Sequence, residues 1–202
     1  MTARRLIVLL GLLLLVAPLA PRRLPAAEAD AAGFVADFAN KVLDLVRAQS
    51  ASPRELEQRL RPLALDAFDV SRIARFVLGR YWRGMSDAER EQFTQAFEDY
   101  IVHVYAARFT GYRGERFAVT GSRPENTTGT LVHSEVTRPG DAPPIKLDWQ
   151  VDRLAGGYKI ADVTIDGVSQ AVTYREEFAS VIERHGGRVS DLIAELRAKA
   201  GS

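Results

Sequence analysis

The chain contains no cysteine, which excludes a disulfide framework, thiolate zinc sites and a cysteine nucleophile, and leaves stability to packing. Its three histidines, His103, His133 and His185, lack the i, i+4 partner of a helical zinc site, so neither a metal nor a cofactor is expected. The phosphate loop, the dinucleotide fingerprint and the G-x-S-x-G elbow are all missing, so nucleotide hydrolysis and hydrolase chemistry have no support. No internal repeat or low-complexity segment stands out. Charge of one sign is also scarce. The formal charge is +1, and removing residues 1–29 takes away four arginines and one glutamate, leaving −2. That removes the electrostatic case for nucleic acid.

Residues 1–29 read as a secretory signal peptide. Arg4 and Arg5 precede an apolar run from Leu6 to Ala17, too short for the roughly 20 residues a spanning helix needs. Proline and small residues follow, and Ala27-Glu28-Ala29 offers an A-x-A cleavage site, with a cut after Ala27 as the alternative. Residues 30–202 fit one domain with a sizeable core, and 47% apolar with 26% charged residues is a globular composition.

The organising stretch runs from Phe68 to Tyr112 and reads as two helices joined by a tight turn. Asp69 can cap the first, which carries Ile73, Phe76 and Val77 at helical spacing and loosens at Gly79. Ser86 and Glu89 form a capping box for the second, with Phe93, Phe97, Ile101, Val104 and Tyr105 on one broad stripe and Gly111 placed to end it. So wide and aromatic a stripe wants a large partner surface, whether solid core or a pocket. Upstream, Phe34, Phe38, Val42 and Leu45 predict an amphipathic helix over 33–48. Ser52, Pro53 and Glu55 start another through Leu56 and Leu60, with Pro62 near its end or kinking it.

After Gly111 the period becomes alternating, and four strands follow. Phe117 and Val119 mark the first, Leu131–Val136 the second. In the third, Ile145, Leu147, Trp149 and Val151 alternate with polar residues. The fourth, Tyr158–Ile165, breaks its alternation around Asp162, as a bulge or a doubly buried strand would. Asn126-Thr127-Thr128 matches a glycosylation sequon but reads as loop chemistry. From Asp166 the chain returns to helix, with Val172, Phe178, Val181 and Ile182 inward, and a last helix carries Leu192, Ile193 and Leu196. Helices, antiparallel strands, then helices predict an α+β fold with the helices on one face of a twisted sheet.

The strongest candidate for catalysis is Asp162, an acid in an apolar strand that could serve as a general base of a small enzyme. Alternatively it points outward or accepts backbone hydrogen bonds at a bulge. Arg80, Arg83 and Arg175 could bind an anion, or be solvated or paired with glutamate.

The stretch FDVSRIARFVLGRYWRGMSDAEREQFTQAFEDYIVHVYAARFTGY, then PIKLDWQV, then GGYKIADVTIDGVSQAVTYREEFASVI resemble the MlaC, or toluene-tolerance, family of periplasmic phospholipid-binding proteins, including its hopanoid-associated branch. The resemblance covers nearly all of residues 30–202, with Tyr158 where the family often has Trp. It implies a nuclear transport factor 2-like fold: α+β, with helices on one face of a curved antiparallel sheet of about four strands, enclosing an apolar pocket. It also implies a periplasmic carrier, not an enzyme, that holds acyl chains with the head group near solvent. Such a carrier would shuttle phospholipid between an outer-membrane lipoprotein complex and the lipid-binding subunit of an inner-membrane ABC transporter, maintaining outer-membrane asymmetry. The lining expected on the helices is Phe76, Val77, Phe93, Phe97, Ile101, Tyr105 and Phe178. On the strands and the turn after them it is Phe117, Val119, Leu147, Trp149, Val151, Ile160 and Val168.

Overall fold

The computed structural model describes residues 26–48 and 52–201. The basic and apolar parts of the expected signal peptide lie outside them, and the domain boundary expected after residue 29 falls inside the first helix, α1 (Ala26–Arg47). Then come α2 (Pro53–Ala67), α3 (Val70–Leu78), a 3-10 turn (Gly79–Gly84) and α4 (Asp87–Phe109). The strands β1 (Arg116–Pro124), β2 (Gly129–Thr137), β3 (Ile145–Leu154), β4 (Gly157–Ile165) and β5 (Val168–Ser169) precede α5 (Gln170–Arg184) and α6 (Val189–Ala200).

Local chemistry sets these boundaries. The Ser52 and Ser86 side chains accept from the amides of Glu55 and Glu89, whose carboxylates accept from the serine amides in return. Both helix starts thereby satisfy otherwise orphan donors. Pro62 sits within α2, which continues to Ala67. Asp69 caps α3 by accepting from the Arg72 amide. Gly79 then takes a φ of +52°, a conformation open to glycine, and turns the chain into the 3-10 segment bearing Tyr81 and Trp82. The helix α4 ends at Phe109, two residues before Gly111.

The strands form one antiparallel sheet in the order β1-β2-β3-β4-β5. Val132 faces Trp149, Ser134 faces Leu147, and Val136 faces Ile145, which places these side chains on one surface of the sheet. There the Trp149 indole N–H donates to Ser134 Oγ at 2.8 Å. On the opposite surface His133 meets Asp148 at 2.6 Å. Extra residues at Thr120 in β1 and Ala161 in β4 shift the register, and such bulges bend and twist their strands. The short β5 was not expected. Asp166 (φ 47°) and Gly167 (φ 86°) form a two-residue hairpin between Ile165 and Val168 before the helix begins, the Asp-Gly signal of a primed turn. Val172, expected inward, is 43% exposed. At the β1–β2 connection Asn126 Oδ1 accepts from the Thr128 and Gly129 amides, which is loop chemistry.

Among the described residues, three buried clusters hold the chain together. Between α3, α4, α5 and α6 lie Val77, Phe93, Phe97, Phe178, Ile182, Leu192 and Leu196. Where α1 crosses the sheet, Val35 packs with Val132, Trp149, Val151 and Ile160. Farther along α1, Val42 and Val46 meet Leu56 and Leu60 of α2 and Ala106 of α4.

Candidate functional site

Where the three clusters meet, the side chains do not close. An apolar cavity of about 550 Å³ lies between the inner face of the sheet and α1, α2, α4 and α5. Ligand pockets span roughly 300–1,000 Å³, and an apolar cavity of roughly 150 Å³ already admits benzene. Phe38, Val42 and Val46 of α1 and Leu60, Ala64 and Leu65 of α2 form one wall, and Leu147, Trp149, Val163 and Ile165 of the sheet form another. Along α4 the lining residues are Phe97, Glu98, Ile101, Val102, Tyr105, Arg108 and Phe109, a single stripe at helical spacing.

Six residues of the expected lining are brought together here: Phe97, Ile101, Tyr105, Phe117, Leu147 and Trp149. The others are placed elsewhere. Val77, Phe93 and Phe178 fill the core between the helices. Val151 and Ile160 are buried where α1 meets the sheet, with Val119 packed beside them. Phe76 is 40% exposed, lying beneath the Arg175 guanidinium on the outer side of α3. Val168 is 56% exposed on the two-residue strand β5. Sequence reasoning missed the contributions of α1 and α2, together with Val136, Ile145 and Ile165 at the sheet's end. The only signal was the apolar stripe of each element, which marks a buried face without saying what it faces.

The polar groups of the cavity differ along its length. Glu98 also borders a smaller, mixed pocket with Asp69, Ser71 and Lys159, and burial raises its carboxyl above the ordinary range against the pull of Arg61. Ten residues on, or about 15 Å along the helix, stands Arg108, its guanidinium carbon 5.1 Å from the centre of the Tyr105 ring. Tyr174 of α5 lines the cavity together with Tyr105. Burial holds both phenols above the usual tyrosine range, so both stay protonated near neutrality.

Asp162 carries no catalytic arrangement. Its carboxylate accepts from the Val163 and Ala171 amides and from Ser169 Oγ, tying the bulge of β4 to the start of α5. Each histidine is matched to a single acid: His103 to Glu57, His133 to Asp148 and His185 to Asp191. Among the described residues no group of acids and histidines is placed to hold a metal. Arg80 pairs with Glu183 at 2.7 Å.

A bent sheet covered on one face by helices, with an apolar void of this size between them, defines a fold with room for an apolar ligand. The family model described as MlaC protein matches residues 36–198, and the chain belongs to that family. It is 22% identical over 127 residues to the intermembrane phospholipid transport system binding protein MlaC of Haemophilus influenzae. That match takes in 61% of this chain and 58% of the relative, less than two thirds of its length. A solved structure of the phospholipid-binding protein from Ralstonia solanacearum, in complex with a phospholipid, superposes with a TM-score of 0.76 at 24% identity. It covers 85% of this chain and 97% of its own, and establishes a shared fold.

Proposed function

We propose that the protein is an exported phospholipid carrier of the periplasm, holding acyl chains in the cavity between α4 and the sheet. The observation that carries this reading is the 550 Å³ apolar cavity, found in a chain of the MlaC family. The relative named as an intermembrane phospholipid transport component and the fold shared with a phospholipid complex both support it. On this reading lipid passes between an outer-membrane lipoprotein complex and the lipid-binding subunit of an inner-membrane ABC transporter. The amino-terminal pattern of two arginines, a short apolar run and small residues supports export.

The need for a carrier follows from magnitude. At about 0.8 kcal/mol per buried CH₂, two acyl chains with on the order of 28 methylenes have roughly 20 kcal/mol against entering water. A cavity that replaces the bilayer nearly cancels that cost. Transfer direction is then set by small differences in affinity at the two docking partners, and the carrier itself needs no energy source. Mass spectrometry of an organic extract of protein purified from the periplasm is expected to find stoichiometric lipid and to identify its class, phospholipid or hopanoid. Purified protein without lipid, together with no uptake from phospholipid vesicles, would overturn the reading.

A further inference from the structure

Charged side chains of both signs line the cavity. Glu98 of α4 is one of them; ten residues on stands Arg108 and, at the first position of β1, Arg116. An acyl pocket needs neither. The Arg108 guanidinium is held over the Tyr105 ring, and no carboxylate pairs with Arg108 or Arg116 among the described residues. The two acids lining the same region are engaged by neutral donors. Glu115 Oε2 accepts the Arg113 amide at 2.7 Å, and Asp162 accepts the Ser169 hydroxyl and the Val163 and Ala171 amides.

We infer that Arg108, with the Tyr105 hydroxyl beside it and Arg116 on the same rim, is the phosphate site of the carried lipid. The inference rests on the carrier reading and deepens it by fixing which way the lipid lies. A guanidinium fork matches phosphate oxygens, and charge-assisted hydrogen bonds of this kind are stronger than neutral ones. The Tyr105 phenol is un-ionised at neutral pH, as tyrosine ordinarily is and as burial reinforces, so it adds a donor toward an anion. Roughly 15 Å away along the helix axis, the Glu98 carboxylate repels phosphate. The glycerol phosphate therefore sits at the carboxyl end of α4 and the acyl chains run back toward Glu98. A lipid with the same chains but no phosphate keeps the apolar contacts and loses the anchor.

The test compares two soluble ligands with identical chains, dihexanoyl phosphatidylglycerol and dihexanoylglycerol, each displacing uncharged N-phenylnaphthylamine from the delipidated full-length mature protein. The phosphate-bearing lipid is expected to bind about tenfold more tightly or better, the ratio equivalent to about 1.4 kcal/mol. R108Q should cut the ratio to about threefold or less, the share left to Arg116, and its melting temperature reports that the variant is folded. R116Q should reduce the ratio by a smaller factor, about threefold, as a screened charge at the rim would. An R108Q protein that keeps the full preference overturns the assignment, as does a wild type that binds both ligands equally. Inorganic phosphate occupying the site at concentrations below those of the lipid would make it a free-anion site and overturn the headgroup assignment. Failure of either lipid to displace the probe would reject the carrier reading itself, and the inference with it.

Discussion

The helix α4 has two halves that are packed in opposite ways. Near its start, Phe93 stacks on Phe97 with centroids 5.8 Å apart, and Phe178 meets Phe97 edge-on at 5.9 Å. Ile182 and Leu192 seal the space around them. From Ile101 to Phe109 the same helix faces a void across from Leu147 and Trp149. Both halves present large apolar or aromatic side chains, Phe93 and Phe97 in the first and Ile101, Tyr105 and Phe109 in the second. The difference is therefore not one of hydrophobicity. It lies in whether neighbouring elements approach closely enough to interdigitate, and here the α1–α2 pair and the bent sheet keep the second half open.

Removing volume should separate the halves most. Phe93→Ala is expected to cost about 3–5 kcal/mol, because a closed core leaves a cavity behind. Leu147→Ala, already bordering open space, should cost about 2 kcal/mol or less. Urea unfolding of the delipidated proteins measures both, and equal losses would mean that the second half is as tightly filled as the first.

Filling the void with lipid should stabilise the folded chain. At a free-lipid concentration about 100-fold above Kd the gain is about 2.7 kcal/mol. The lipid-loaded protein should therefore melt higher than its delipidated form in calorimetry, and Leu147→Ala should lose less of its stability when loaded. No shift on loading would break the comparison.

Adding volume gives a smaller effect of opposite pattern. Phe178→Trp should destabilise by about 1–3 kcal/mol through overpacking. Leu147→Trp should leave the melting temperature of the delipidated protein nearly unchanged while blocking acyl chains, because empty space accepts the added ring. Melting curves and bound-lipid assays of the two variants check this pair. A Leu147→Trp protein that unfolds, or that carries its full lipid load, would remove the distinction.

The smallest expected effect is electrostatic. Glu98 has a raised pKa in the folded chain, chiefly through burial, so the folded state binds this proton more tightly than the unfolded state does. Stability should fall as pH rises from the ordinary carboxylate range through the raised value. Glu98→Gln should remove that slope, leaving the variant more stable at neutral pH and matching the wild type at acid pH. Melting temperatures across pH 3–8 read it out, and an unchanged slope would place the titration elsewhere.

Much of this architecture was legible in the sequence because it depends on local chemistry. The Ser52 and Ser86 capping boxes, the Asp69 cap and the alternation of Ile145, Leu147, Trp149 and Val151 each report on the residues beside them in the chain. The break at Asp162 left a bulge and a doubly buried strand open, and β4 has the bulge. The Asp166-Gly167 hairpin was readable in the same way but is hidden by the helical pattern that follows it. The cavity was only half legible. Periodicity shows that Phe93, Phe178 and Ile160 turn inward, yet whether an inward side chain meets another side chain or a void depends on elements distant in sequence. For that reason the walls supplied by Phe38, Val42 and Leu60 went unseen, while Phe93, Phe178 and Ile160 were expected in the lining.

The hydrogen bond between the Trp149 indole and Ser134 has an optical consequence. The chain has two tryptophans, and Trp82 lies in the 3-10 turn under the Arg90 guanidinium, away from the cavity lining. A Trp82→Phe protein would thus carry a single indole set into the cavity wall, its N–H already engaged and its ring facing either water or hydrocarbon. Emission wavelength and accessibility to a dissolved quencher would report the contents of the cavity continuously and without a label. Loading and release could then be timed in a stopped-flow cuvette.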